Sequence, residues 1–203
     1  MQPQPNENYN KNHNSKLTVE EYVKLEQETN QKYEFHDGQV YAMAGGTYNH
    51  NTISGNIFSS INEFLRGKSC QIMNSEMKLY LESNDTYVYP DSMIICGELE
   101  RAEHLKDAFK NPVVIIEVLS ESTASYDRGS KFGFYRQIRS LRHYILIEQT
   151  EVKIDVFSRQ SPTSLWDIRG IEGLENNLEL VISETETLSI PLRNIYDRIT
   201  FEK

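Results

Sequence analysis

Cysteine, tryptophan and proline are scarce in this chain: two, one and six of 203 residues. Cys70 and Cys96 stand apart with no C-x-x-C or Cys/His spacing, which leaves no support for a zinc site or a disulfide framework. Both are expected to be small packing residues. No apolar run approaches the ~20 residues that a membrane-crossing helix needs. The opening MQPQPNENYN has neither a basic start nor an apolar core, so the expectation is a cytoplasmic protein with no membrane partner. Basic residues are also in short supply, 21 Lys and Arg against 30 Asp and Glu, for a formal charge of −9. Such a chain repels polyanions at long range, because Lys and Arg are the groups that neutralise phosphates.

What is present fits one domain with a tail. Residues 1–16 are rich in Asn, Gln and Pro and offer little to bury in exchange for ordering, so a disordered N-terminal tail is expected there. Residues 17–203 form the expected domain, with 160–203 as a less legible C-terminal extension. LTVEEYVKLEQE begins a helix: Thr18 as N-cap, Glu21 three residues on, and Leu17 and Tyr22 placed for a hydrophobic staple. YEFHDGQVYAM alternates around Asp37-Gly38 and predicts a hairpin. Ile53, Ile57, Phe58, Ile61, Phe64 and Leu65 recur at helical spacing up to a terminating Gly67. QIMNSEMKLYL and YVYPDSMIIC predict an antiparallel pair about Ser83-Asn84-Asp85. PVVIIEVLS is apolar on both faces, as an interior strand requires. SYDRGSKFGFYRQI has helical spacing, HYILIEQ and VKIDVFSR read as strands, LWDIRGI and LELVISE are further candidates, and Pro191 can open a last short helix. The sum is an α/β arrangement around a mixed sheet.

One glutamate sits inside the most apolar of these strands. Period-two alternation puts Glu117 on the face of Val113, Ile115 and Leu119. Taken alone, it is explained by a paired arginine or by a side chain reaching water at the strand's end. Asp91 follows Pro90 at the mouth of another strand, however, and Glu76 reads as part of the strand before that. Carboxylates converging at one sheet edge repel each other unless a cation lies among them. Oxygen-only donors favour a hard ion such as Mg²⁺, with Mn²⁺ as a substitute.

Pro90-Asp91, Glu117-Val118-Leu119 and the following helix with Lys131 and Tyr135 resemble the Uma-type endonuclease family of the PD-(D/E)XK restriction endonuclease-like superfamily. The similarity runs over roughly residues 17–160 as an ordered series: KYEFHDGQVYAMAG, HNTISGN, YPDSMIIC, VVIIEVLSEST and YDRGSKFGFYR. The resemblance implies a restriction endonuclease-like core, a central mixed β-sheet flanked by α-helices. It also implies Mg²⁺-dependent phosphodiester hydrolysis in DNA and pairing into a homodimer. Asp91 and Glu117 would be the metal ligands. The superfamily pattern places a lysine two residues after the second acid, where this chain has Leu119; in similar proteins that lysine has moved to the next helix, and Lys131 is the candidate.

The remaining site candidates carry less. Asp127, Lys131 and Tyr135 share a helix face at i, i+4 and i+8. As an exposed pair, Asp127 and Lys131 would contribute only about 0.2–0.5 kcal/mol; with the ordered motifs, Lys131 becomes a group that orients water or stabilises phosphoryl charge. Glu34 could assist at the metal or merely pair on the hairpin, and Glu76 is a third metal candidate. His50 shares a helix face with Ile53 and Ile57, so it is expected to be a core or helix-start histidine standing behind the ligands; Asp127 and Tyr135 are candidates to stand there with it, Tyr135 otherwise packing, and Trp166 is expected to pack. Between Ser120 and Tyr144, Arg128, Lys131, Arg136, Arg139 and Arg142 outnumber Glu121 and Asp127, a local excess that could meet phosphate despite the net charge. Two rivals remain open from sequence: a nuclease-like domain that binds nucleic acid or a protein without cutting, and a hydrolase of small phosphate esters, which lacks a Gly-rich phosphate loop.

Overall fold

The structure is a computed structural model describing residues 16–43, 45–121 and 123–201. All but Lys16 of the expected N-terminal tail lies outside the described residues. Helix α1, Val19–Thr29, starts in the anticipated capping box, with the Thr18 and Glu21 side chains each bonding the other's main-chain N–H. Leu17 and Tyr22 are both buried in one cluster, as a staple requires. Strands β1, Tyr33–His36, and β2, Gln39–Ala42, form the hairpin. Its turn holds Asp37 and Gly38 at φ of 46° and 84°, the left-handed region that this dipeptide tolerates. Helix α2, Tyr48–Leu65, buries Ile53, Ile57, Ile61 and Leu65 at a regular four-residue interval.

The two long segments expected to pair as one hairpin do pair, but each is broken in the middle. The first yields β3, Cys70–Asn74, and β4, Lys78–Leu81; the second yields β5, Thr86–Val88, and β6, Ser92–Cys96. β3 pairs with β6, and β4 with β5, in different sheets. The breaks fall at the Ser75-Glu76 turn and at Pro90-Asp91. Proline has no N–H to continue a ladder, which accounts for the second. One six-stranded sheet runs β11-β10-β9-β8-β6-β3 and a five-stranded sheet runs β2-β1-β5-β4-β7. Their other members are β7, Ala108–Phe109; β8, Val114–Val118; β9, His143–Ile147; β10, Lys153–Ser158; and β11, Asp167–Glu172. β8 and β9 are parallel and the other neighbours in the larger sheet antiparallel, so the central sheet is mixed.

Parallel neighbours require a crossover, and here it is α3, a helical run made of Ala124–Tyr126, a π turn at Asp127–Lys131, and Phe132–Tyr135. The larger sheet is covered on both faces. Val114, Ile116 and Val118 face α2, while Ile115 and Leu119 face Tyr135, Tyr144 and the strands of the smaller sheet. Each fully buried Ile or Val contributes roughly 1.5–3 kcal/mol, so β8 is held in register from both sides. Glu117 shares the second face with Ile115 and Leu119, whereas Val113, just before the strand, packs with the α2 side.

Beyond residue 160, the two anticipated strands form β11 and β12, Asn177–Val181. A third, β13, Thr187–Pro191, pairs with β12 and leads into α4, Leu192–Ile195. The packing role expected of the cysteines is corrected: Cys70 and Cys96 face each other across β3 and β6 and form a disulfide. Twenty-six residues of separation hid a pair that the antiparallel register brings together. Trp166 packs against Phe132 and the Arg159 guanidinium. No helix among the described residues is long and apolar enough to cross a membrane.

Candidate active site

The β6–β8 register sets Ser92 opposite Ile116, so Asp91 and Glu117 meet at the edge of the pair. Each holds main chain on the other's strand segment. Asp91 Oδ2 accepts the Val118 N–H at 2.7 Å, and Glu117 Oε2 accepts the Asp91 N–H at 3.3 Å. The strand break at Pro90 frees that N–H from the ladder and makes the exchange possible. On the other side His50 Nε2 stands 3.2 Å from Asp91 Oδ2. The N-cap bond from Thr47 places His50 in the first turn of α2, aimed at the sheet edge.

From α3, Lys131 Nζ lies 2.8 Å from Glu117 Oε1, 3.4 Å from Asp127 Oδ1 and 3.9 Å from Glu34 Oε1. The Tyr135 hydroxyl donates to the same Glu117 oxygen at 2.9 Å. π turns are rare and recur at functional sites; this one carries Asp127 and Lys131. Glu34 arrives from β1, bonded to His36 Nε2 at 3.2 Å. Lys131 and Glu117 are both buried. The partner of the glutamate inside the apolar strand is thus an ammonium and a phenol.

Four carboxylates, from Glu34, Asp91, Glu117 and Asp127, face one lysine and two histidines, His36 and His50. Burial pushes the Glu117 carboxyl up to about 8; Lys131 opposes this, and Asp91 and Asp127 add to it. Burial would also raise Glu34, but Lys131 and the His36 bond bring it below the ordinary carboxylate range. Desolvation works against charged Lys131 and His50, yet the surrounding carboxylates raise both, Lys131 strongly. The cluster has a surplus of negative charge that a further cation would relieve.

Among the described residues, no group of three or more His, Cys, Asp and Glu side chains forms a ready metal cage. Asp91 and Glu117 supply two carboxylates instead. That is the hard, all-oxygen donor set Mg²⁺ takes together with waters and substrate phosphate. The donors fit such an ion.

Of the residues singled out from sequence, Asp91, Glu117, Lys131, Glu34, Asp127, Tyr135 and His50 come together. Glu76 does not. It lies in the turn between β3 and β4 rather than on a strand, exposed, with Lys32 Nζ at 2.5 Å. Tyr135 does more than pack, since it bonds Glu117 directly. The local basic excess shrinks: Arg128 is held by Glu148 and Asp155, and Lys131 is spent inside the cluster. Sequence reading missed Gln149, buried at the end of β9, whose side chain donates to the Leu119 carbonyl at 2.7 Å. Its polar side chain just past HYILIE was the only signal. Leu119 itself is buried among apolar groups, so the ammonium beside Glu117 comes from Lys131 on the helix.

The family model Uma2, described as "Putative restriction endonuclease", matches residues 19–192. Two uncharacterized proteins of Synechocystis sp. are similar. One, slr1290, is 37% identical over 144 residues, 71% of this chain and 75% of the relative. The other, sll1609, is 34% identical over 143 residues, 70% of this chain and 81% of the relative. A crystal structure from Anabaena variabilis, titled as "a putative nuclease belonging to DUF820", superposes with a TM-score of 0.68 at 16% identity. It covers 91% of this chain and 99% of that one, a likeness of fold.

Proposed function

Because the chain belongs to the Uma2 family, a group described as "Putative restriction endonuclease", we propose that it is a divalent-metal-dependent endonuclease that hydrolyses phosphodiester bonds in DNA. The observation that carries this reading is the meeting of Asp91, Glu117 and Lys131 at one sheet edge, with Lys131 Nζ 2.8 Å from Glu117. A Mg²⁺ or Mn²⁺ ion held by Asp91 and Glu117 would supply Lewis-acid stabilisation of phosphoryl charge and a more acidic water.

The side chains divide the remaining work. His50 and the Val118 N–H hold one Asp91 oxygen in place. Tyr135 and Lys131 fix one Glu117 oxygen and leave Glu117 Oε2 facing Asp91. Lys131, kept cationic by its acidic surroundings, is placed to orient a water or to stabilise charge on a phosphoryl oxygen. Glu34 and Asp127 steady that ammonium from two sides. Pairing into a homodimer, so that two sites cut two strands, belongs to the same proposal.

The test is incubation of purified protein with supercoiled, linear and single-stranded DNA plus Mg²⁺ or Mn²⁺. The expected result is nicking of at least one form, lost with EDTA and with Asp91→Ala. Absence of metal-dependent cutting on every form overturns the reading in favour of a nuclease-like binding domain. Sedimentation velocity reads the oligomeric state independently.

A further inference from the structure

Glu26 lies on α1, outside the acidic cluster, yet it ties β1, which carries Glu34, to the link between β5 and β6, which carries Asp91. Glu26 Oε1 accepts the Tyr89 hydroxyl at 2.7 Å and the Tyr33 N–H at 3.1 Å. Tyr33 immediately precedes Glu34, and Tyr89 stands two residues before Asp91. The Tyr22 hydroxyl, shared between the Tyr33 carbonyl at 2.9 Å and Glu26 Oε1 at 3.2 Å, closes the knot from the same helix. Lys78 Nζ, 3.0 Å from Glu26 Oε2, neutralises the carboxylate and lies over the Tyr89 ring.

Two features suggest more than packing. The Tyr89 main chain helps hold the Glu34 carboxyl low, while the Tyr89 side chain bonds Glu26, so one residue acts on both acids. The chain then passes through Pro90, whose fixed φ transmits the placement of Tyr89 to Asp91 with little slack. Glu26 and Lys78 have only 13% and 14% of their side chains exposed, so their attraction is little screened by water.

We propose that Glu26, acting through the Tyr89 hydroxyl, is a positioning residue that sets the placement of Asp91 relative to Glu34 and Glu117, and with it the metal affinity of the site. The metal part rests on the reading above; the placement part does not.

The experiment uses the full chain with Tyr89→Phe, which removes only the hydroxyl, and Glu26→Ala, which removes its acceptor, as a second variant. A metal-free reporter is hydrogen exchange at the Val118 amide, which donates to Asp91 Oδ2, with Ile145 in β9 as control. Both variants should speed Val118 exchange about tenfold or more, the scale of one lost hydrogen bond to a charged group, with Ile145 unchanged. Calorimetric titration with MnCl₂ should show affinity weakened by a similar factor. The double variant should be little worse than either single one, because both break the same link. Val118 exchange equal to wild type, or rising in step with Ile145 as general loosening would produce, overturns the proposal. If wild-type protein takes up no Mn²⁺, the nuclease reading fails while the Val118 amide still decides this one.

Discussion

The carboxyl of Glu117 gives the metal-free protein a pH dependence that is worked directly from the site. In the folded chain its pKa is pushed from 4.5 up to about 8, first by burial and then by Asp91 and Asp127, against the pull of Lys131. Between those two values the native state holds a proton that the unfolded chain has released. Stability from this group is therefore full below the lower value and is lost as pH rises through the upper one. Each unit of difference corresponds to about 1.4 kcal/mol, so the effect is on the order of a few kcal/mol. The perturbation is Glu117→Gln, which keeps the shape and cannot titrate. The assay is urea unfolding in EDTA at pH 5, 6, 7 and 8, read as the wild-type minus variant difference. That difference should fall steadily with pH. In saturating Mn²⁺ the slope should vanish for wild type, because the ion replaces the proton. A difference constant from pH 5 to 8 would refute the claim that burial and neighbouring acids govern this carboxyl.

The other expectations use the same logic at other places. Lys131→Met leaves Glu34 and Asp127 buried without their shared cation and should lower unfolding free energy by about 3–5 kcal/mol; Lys32→Met, at the exposed Glu76 pair, should cost less than about 1 kcal/mol, and equal losses would contradict the burial argument. Burial lowers the pKa of His143, which bonds Ser158 and the Val181 carbonyl. Its contribution is present above the unfolded value of 6.5 and lost as pH falls below it, so His143→Gln should flatten the acid side of the stability curve; an unchanged slope sinks that assignment. Arg159 donates to the main-chain carbonyls of Arg136, Ile138 and Leu141 after α3, and Arg159→Met should destabilise by about 2 kcal/mol or more through one buried and two part-buried carbonyls left unpaired, measured by urea midpoint. Thiol titration of unfolded protein without reductant should find neither Cys70 nor Cys96 reactive; two reactive thiols would contradict the cross-strand disulfide.

Elements with a local chemical signature were legible in the sequence. The Thr18–Glu21 capping box, the Asp37-Gly38 turn and the four-residue apolar stripe of α2 each determine their structure within one or two turns of chain. Glu117 was legible for the opposite reason: a charge in an apolar strand demands a partner wherever that partner comes from. Long-range register was not legible. Nothing local says that QIMN and KLYL belong to different sheets, and reading them as one strand put Glu76 at the site instead of in a surface turn. The same blindness hid the disulfide, since only the β3–β6 register opposes Cys70 and Cys96. Helix spacing did give Lys131 the correct face, even though the segment contains a π turn. Tyr135 was legible only as a candidate on the Lys131 face, and the role of Gln149 stayed hidden, because a buried tyrosine or glutamine in sequence looks the same whether it bonds a carboxylate, a carbonyl or nothing.

The account depends on Asp91 and Glu117 sharing one divalent ion. A crystal of the protein grown or soaked with Mn²⁺ and measured near the manganese absorption edge reads this directly. The prediction is one anomalous peak within coordinating distance of both carboxylates, absent in Asp91→Ala crystals treated alike. A peak elsewhere, or none at that sheet edge at saturating Mn²⁺, would contradict it.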